Sequence, residues 1–353
     1  MSNYKTDVTI ILPSLNPDEK FYGVVNELVE AGFQDIVIVN DGSDPDHMVW
    51  FQKVSAYEQC TVLNHEVNKG KGRALKTAFT FVNAHRPHSK GVVTIDGDGQ
   101  HLTKDIIACA EAMLEKENKV IMGCRDFSLP DIPARSRGGN KFTSMLFLIG
   151  CGIRLSDTQT GLRAIPKQYL AAFSEIKGER FEYETNMLLM MKRMGIEFEE
   201  VGIETVYEGD NEGSHFRPIV DSLKIMKLIF VFMLSGITSS LLDMGIFYLA
   251  LKVVPDGKYA IFAATIIARA LSSFYNFNVN RKVVFGEAAD YKQTLVRYYC
   301  LCVVQTFCSA TLVSLVKSVI PGGDFVSTLI KFLVDTLLFF ASFTIQREWV
   351  FKK

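Results

Sequence analysis

Short apolar runs and amphipathic stretches alternate along the first part of the chain. Residues 8–12 (Val-Thr-Ile-Ile-Leu) form a continuous apolar run, expected as a strand covered on both faces and stopped by Pro13. Residues 21–31 repeat their apolar positions at helical spacing, and 35–41 form a second buried strand ending in Asp41. A short strand follows at 60–63, a helix at 69–84 after a glycine-rich start, and a strand at 91–95. Alternating strands and helices predict a mainly parallel, Rossmann-like α/β sheet with helices on both faces. Ligands of such sheets bind at the carboxyl ends of the strands, where Asp41, Asp96 and Asp98 fall.

The pattern changes near residue 225. Four apolar stretches follow, at about 228–251, 259–279, 295–316 and 325–345, each long enough to cross a bilayer. Their close spacing favours spans over the buried helices of a large soluble core. The expected organisation is a domain at 1–217 followed by an all-α, four-helix transmembrane domain at 218–353.

Loop charges set the expected orientation. Arg217, Lys224 and Lys227 precede the first span; Arg281, Lys282, Lys292 and Arg297 lie between the second and third; Arg347, Lys352 and Lys353 follow the fourth. The other two loops hold chiefly Lys252 and Lys258, then Lys317. Basic loops stay inside, so the first domain and both termini are expected in the cytoplasm, beneath a bacterial plasma membrane. The polar residues 1–7 are expected to enter the first strand directly and do not resemble a signal peptide.

The second and fourth spans end alike. Phe277, Arg281 and Phe285 recur 66 residues later as Phe343, Arg347 and Phe351, which implies two related hairpins, each closed by an aromatic and basic collar. The same offset sets Arg269 opposite Asp335 in mid-span. Charges there are costly, so Arg269 is expected to pair with Asp335 or with Asp243 of the first span.

Net charge is −1, which gives no field for nucleic acid. The seven cysteines show no metal-ligand spacing and are expected to be reduced. The chemistry concentrates at 91–101, where an apolar run ends in Asp96, Asp98 and Gln100. At the strand end, alternation is expected to send all three side chains to one side. Three oxygen donors suit Mg²⁺ or Mn²⁺ and leave positions for water and phosphate oxygens. The competing reading is an acidic surface turn. A dinucleotide fingerprint is missing after the first strand, where Pro13-Ser-Leu-Asn-Pro17 stands, and residues 70–76 do not fit a Walker loop.

Residues 8–19, 39–44, 68–74, 96–101, 123–125, 136–140 and 157–163 together resemble glycosyltransferase family 2. Within it they are most similar to polyprenyl-phosphate sugar synthases of the dolichyl-phosphate mannose synthase type. The four spans look like the GtrA-type membrane domain often fused to such enzymes. The resemblance implies a GT-A fold and a nucleotide-sugar donor. It implies that Asp41 contacts the base or ribose, and that Pro13, Leu15 and Asn16 line the base pocket, with Glu19 and Lys71 also on the nucleotide. Asp96 and Asp98 would hold nucleotide and metal, with Gln100 as a further ligand. Arg137 and Asn140 would meet the acceptor phosphate, and Asp157 and Arg163 would organise the acceptor side. Three positions depart from the family pattern: Leu15 replaces a common tyrosine, Pro17-Asp18 displaces the usual acid to Glu19, and Ser214-His215, followed by Arg217, replaces Ser-Lys.

Arginine forks suit phosphate, which makes Arg125, Arg137, Arg163 and Arg217 candidates for the acceptor and diphosphate. Residues 135–149 turn from basic to apolar and are expected either in the membrane interface or as an ordinary core helix; residues 216–227 offer a second interfacial segment. His215 belongs to a loop expected to be flexible over 208–214, and Ser214 and His215 are candidates for the diphosphate. His101 is expected to start a helix, with support of the metal ligands as the alternative.

The resulting expectation is an inverting transfer of a hexose or N-acetylhexosamine, from UDP above other nucleotides, to undecaprenyl or another polyprenyl phosphate for envelope glycosylation. The enzyme would sit in the bilayer, and a homo-oligomer is among its expected states. Sugar addition to a polysaccharide is disfavoured, because the Gln-x-x-Arg-Trp pattern of processive relatives is missing. A flippase with a nucleotide-sugar-sensing domain is disfavoured by the intact Asp-x-Asp-x-Gln set.

Overall fold

The computed structural model describes residues 3–129, 132, 134–204, 218–254, 260–285, 290–320 and 324–351. Met1–Ser222 and Leu223–Lys353 form two compact units. The first is built on seven strands: β1 (Val8–Ser14), β2 (Ile36–Asn40), β3 (Cys60–Asn64), β4 (Gly91–Thr94), β5 (Val120–Arg125), β6 (Arg163–Pro166) and β7 (Phe198–Ile203). They lie in the order β3-β2-β1-β4-β6-β5-β7. All neighbours run parallel except β6, which is antiparallel to both β4 and β5. This mostly parallel α/β sheet is the expected GT-A arrangement.

Pro13 does not end β1, which continues to Ser14 paired with Asn40. Ile11 offers its carbonyl to the Ile95 N–H on the β4 side, and alternation turns the Pro13 nitrogen to that same side. The β4 pairing has already stopped, at Thr94, so the missing proline donor costs no ladder bond. Ahead of β1, Tyr4–Asp7 forms a short helix, α1, rather than leading straight into the strand; the Asn3 side chain accepts the Lys5 N–H at its start.

The other helices of this unit are α2 (Glu19–Glu30), α3 (Met48–Val54), α4 (Lys71–His85), α5 (Thr103–Glu115), α6 (Ala134–Cys151), α7 (Leu170–Ser174) and α8 (Glu182–Met194). Ile10, Leu12, Ile36 and Ile38 share one core with Phe21 and Leu28 of α2, Phe51 of α3 and Ile106 of α5. Ile11, Val37, Val39 and Val92 are one step out of phase and equally buried, and α4 packs on β1 and β2 through Ala74, Ala78 and Phe79. Both faces are therefore covered, which is why these strands read as unbroken apolar runs. The reversed β6 has a further effect. It sets Arg163, at its start, opposite Thr94, at the end of β4. The segment entering β6 thus reaches the carboxyl edge of the sheet.

The second unit contains α9 (Pro218–Val253) from Leu223 onward, α10 (Ala260–Val279), α11 (Tyr291–Val319) and α12 (Asp324–Ile345). Among the described residues, three stretches are long and apolar enough to cross a membrane: Ile229–Val253, Tyr291–Val319 and Leu329–Val350. Four spans were expected; α10 is a helix at the expected place but is not among the three, and its second half carries Ser272, Ser273, Asn276 and Asn278. Of the orienting charges, Arg217, Lys258, Lys352 and Lys353 lie outside the described residues.

The repeat is visible in three dimensions. Both α10 and α12 run into a π-helical turn, at Asn280–Val284 and Gln346–Val350. Asn280 Nδ2 donates to Gln346 Oε1 at 3.0 Å, between residues 66 positions apart. The Phe232–Phe343 contact, with centroids 5.0 Å apart, is matched by Tyr298–Phe277 at 5.4 Å. Likewise Phe232–Phe285 is matched by Tyr298–Phe351. Equivalent residues thus face each other across an approximate two-fold axis.

In mid-span, Arg269 Nε lies 3.7 Å from Asp243 Oδ1. Asp335 instead accepts from Ser309 Oγ at 2.6 Å and from Lys331 Nζ at 2.7 Å. Of the two partners expected for Arg269, the structure selects Asp243. The offset explains this: 243 corresponds to 309 and 269 to 335, so each hairpin is bridged internally at the same two positions. The Arg269 side chain is 74% exposed in the chain, not turned into the bundle.

Candidate active site

The carboxyl edge of β4 carries the acidic cluster. Ile95 still donates to Ile11, but Gly97 and Asp98 form a turn, and Gly99 takes φ +80°. The expected alternation therefore fails at Asp98 and Gln100: β4 ends at Thr94, and the turn sets their positions. Asp98 is exposed, and its Oδ1 accepts the Gln100 N–H at 3.0 Å. His101 does not start α5, which begins at Thr103. Its Nδ1 accepts the Asp96 N–H at 3.1 Å, which closes the turn and leaves the proton of the neutral ring on Nε2. Burial lowers the His101 pKa despite the attraction of Asp96 and Asp98.

Asp96 has an internal counter-ion. Lys71 Nζ lies 2.7 Å from Asp96 Oδ1 and 3.2 Å from Glu184 Oε1. Burial alone would raise the Asp96 carboxyl, but Lys71, His101 and Arg163 hold it at about 2. Burial works against the Lys71 charge too, yet the two carboxylates raise its pKa and keep it protonated. On the other side, a Cβ on Gly161 would fall within contact distance of Asp96 Oδ2 and 3.1 Å from Cγ. Gly161→Ala is therefore expected to turn the Asp96 carboxylate away from Lys71. The expected loss in kcat/KM is about a hundredfold, with cooperative thermal unfolding retained. Steady-state kinetics beside a melting curve checks this, and wild-type kinetics would remove Asp96 from the reaction.

Lys71 is placed by the turn before α4. Gly70 takes φ +99°, which favours glycine. The buried Asp41 carboxylate accepts the Gly70 N–H at 2.7 Å, the Lys69 N–H at 3.0 Å and His65 Nδ1 at 2.6 Å. His65 Nε2 in turn lies 3.0 Å from Thr77 Oγ1. Asp41 thus orders the loop that carries Lys71. Nearby, Asn16 has φ +50° and its carboxamide pairs with Asp44 in both directions, at 2.9 and 2.8 Å. That clamp leaves Leu15 45% exposed beside half-buried Pro13. Glu19 is exposed at the start of α2, where Asp18 accepts the Lys20 N–H as the cap.

A second ionic group lies on the β5 and β6 side. Arg125 grips the fully buried Asp157 with Nε at 2.7 Å and Nη2 at 3.2 Å, and Asp157 also accepts the Gln159 N–H. Arg163 is 1% exposed; it donates to the carbonyls of Thr160 and Glu184 and so braces both segments from within. Asn140 of α6 is buried and donates to the Ser156 carbonyl at 2.6 Å, while Arg137 donates to the Leu129 carbonyl at 2.9 Å. Ser214, His215 and Arg217, with the 208–214 loop, lie outside the described residues.

The structure thus joins Lys71, Asp96 and His101 in one group, and Arg125 with Asp157 in another. Glu184, His65 and Gly161 were not singled out from the sequence. Gly161 sits inside the 157–163 stretch, but Glu184 and His65 acquire partners only through folding. Among the described residues no three His, Cys, Asp or Glu side chains form a metal cage. Two carboxylates and a carboxamide within five residues are nonetheless an oxygen-only set. They fit an Mg²⁺- or Mn²⁺-like ion completed by diphosphate and water.

Residues 9–190 match the model of glycosyl transferase family 2, and residues 231–351 match that of the GtrA/DPMS transmembrane domain. The chain belongs to glycosyl transferase family 2 and is a membrane-bound glycosyltransferase. A relative from Methanococcus voltae, a UDP-N-acetylglucosamine–dolichyl-phosphate N-acetylglucosaminyltransferase, is 28% identical over 218 residues, covering 57% of this chain and 86% of its own. The dolichyl-phosphate beta-glucosyltransferase of Saccharomyces cerevisiae is 23% identical over 250 residues, covering 62% and 72%. Among solved structures, mannosyl-3-phosphoglycerate synthase from Rubrobacter xylanophilus aligns with a TM-score of 0.48 at 16% identity, covering 63% of this chain and 73% of the other.

Proposed function

We propose that the chain moves a sugar, a UDP-linked hexose or N-acetylhexosamine, onto polyprenyl phosphate at a membrane surface. The observation that carries this reading is helix α6. Phe142, Met145 and Leu148 stand exposed at helical spacing along one face, while Asn140 and Phe147 are buried on another. Arg137 and Lys141 lie toward its N-terminal end. Such a helix suits an interface with lipid headgroups. Asn140 ties it directly to the 156–158 loop beside Asp157. The names of the relatives, both acting on dolichyl phosphate, support the same acceptor class.

The acceptor is a phosphate monoester and largely dianionic at neutral pH, because its second pKa is about 6. It needs orientation more than a general base. Its oxygen bonds to the anomeric carbon as the bond from that carbon to the diphosphate oxygen breaks, releasing nucleoside diphosphate with inversion. Asp98, Asp96 and Gln100 would hold a divalent ion, which when bound offsets charge on the departing diphosphate. Arg137, beside Asn140 on α6, supplies a guanidinium for the acceptor phosphate. Arg125 holds Asp157 and with it the 157–160 turn. The transferase unit and both termini are assigned to the cytoplasmic side of a bacterial plasma membrane, from the loop charges.

The test is sugar transfer by the purified full-length protein, from a panel of UDP- and GDP-sugars to undecaprenyl and dolichyl phosphates, with Mg²⁺, Mn²⁺ or EDTA. Cation-dependent labelling of a lipid by one donor is expected, with the opposite anomeric configuration in the product. Folded protein that labels neither lipid from any donor would overturn the acceptor assignment.

A further inference from the structure

We propose that Lys71 is a resident counter-ion that keeps the Asp96 position filled between turnovers, and that Glu184 is the second berth to which its ammonium moves when a divalent cation takes Asp96. This rests on the reading of Asp96 and Asp98 as cation ligands. One ammonium stands between two carboxylates, 2.7 Å from one and 3.2 Å from the other, so a small rotation of the side chain changes its main partner. The two berths are independently fixed. Gly161 limits Asp96 on one side, and Arg163 holds the Glu184 backbone through its carbonyl at 3.0 Å. The root of Lys71 is fixed as well, since the Gly70 N–H is bound by Asp41. What remains free to move is the ammonium end.

The arrangement answers a physical problem. An unpaired carboxylate at this half-buried position is costly without substrate, and a cationic partner that could not withdraw would repel the incoming ion. A nearby second carboxylate lets the partner step aside without losing its own compensation. Glu184 is therefore a positioning residue, acting on the cation only through Lys71.

Two single substitutions are expected to act in opposite directions, which simple damage to the fold would not produce. The probe is Mn²⁺ alone, with no nucleotide, titrated into the full-length protein and read from the electron paramagnetic resonance of the free ion. Lys71→Met, or the polar Lys71→Gln if the first does not fold, is expected to bind Mn²⁺ about tenfold tighter than wild type. Glu184→Gln, which confines the ammonium to Asp96, is expected to bind it about tenfold more weakly. In the Lys71→Met background most of the Glu184→Gln effect should vanish. Unchanged or weaker binding in a folded Lys71 variant overturns the proposal, as does an equal Glu184→Gln effect in both backgrounds. Adding Asp98→Ala to Lys71→Met separates the two levels. Persistent Mn²⁺ binding there sinks the cation-site reading itself. Loss of binding there, with no gain from Lys71→Met alone, sinks only the exchange.

Discussion

Asp98→Ala is expected to lower kcat by about a thousandfold or more, equivalent to about 4 kcal/mol of transition-state stabilisation. The melting temperature should move by no more than about 2 °C. Both parts follow from where Asp98 sits. Its side chain is exposed in the turn after β4, so its loss opens no cavity. It accepts the Gln100 N–H at 3.0 Å, a local turn bond of small energetic weight. Yet in the proposed mechanism it is the carboxylate free of the Lys71 pairing that occupies Asp96, and the one best placed to receive an ion. Asp98→Asn keeps the turn and most of the shape but removes the charge. It should recover the melting behaviour fully and the rate only slightly. Single-turnover transfer assays on both variants, beside thermal melting, make the comparison. Near-normal rates in Asp98→Ala would remove the cation site from the mechanism.

Asp41→Ala should show the reverse balance, with a large loss of stability. Asp41 is 4% exposed, and its carboxylate serves His65 and the backbone N–H groups of Lys69 and Gly70. Alanine leaves two backbone donors and a histidine without their acceptor in a buried place. Losing an interaction of this kind costs about 3–5 kcal/mol. For a unit of this size that lowers the melting temperature by about 10 °C. Transfer activity should fall as well, because Lys71 follows directly from the loop that Asp41 holds. Asn at this position retains one acceptor oxygen and should restore about half of the stability. A melting temperature within 2 °C of wild type for Asp41→Ala would show that water replaces the carboxylate, and that the loop is held by other means.

Much of this architecture is legible in the chain. The strands at 8, 36 and 91 are mostly apolar and bounded by polar or turn residues, which fixes their type and their burial together, while the strand at 60 lies at the sheet edge and is only half-buried. The aromatic residues 277, 285, 343 and 351 reveal the repeat before any contact is known. What the pattern misses is non-local. β6 has only four residues, and its reversal depends on pairing with β4 and β5, about 70 and 40 residues away. Nothing near Lys71 signals that Glu184 will reach it. Local detail also overrides pattern after Thr94, where the turn at Gly97 and Asp98 and the positive φ of Gly99 break the alternation expected for Asp98 and Gln100. Arg163 illustrates a different limit. An arginine among site residues suggests phosphate, but this one is buried on backbone carbonyls.

The contact of Asn280 with Gln346, flanked by matched aromatic pairs, has a consequence for how the second unit came to be and how it can be taken apart. Like surface meeting like surface is the geometry of a closed two-fold dimer. Here the two subunits are joined end to end in one chain. The covalent link raises their effective concentration but does not create the interface. A polypeptide severed between Phe285 and Asp290 therefore retains a complete mating surface on each fragment. Two separately inserted hairpins could recover the original bundle by lateral diffusion alone, in the manner of other helices that fold first and associate afterwards.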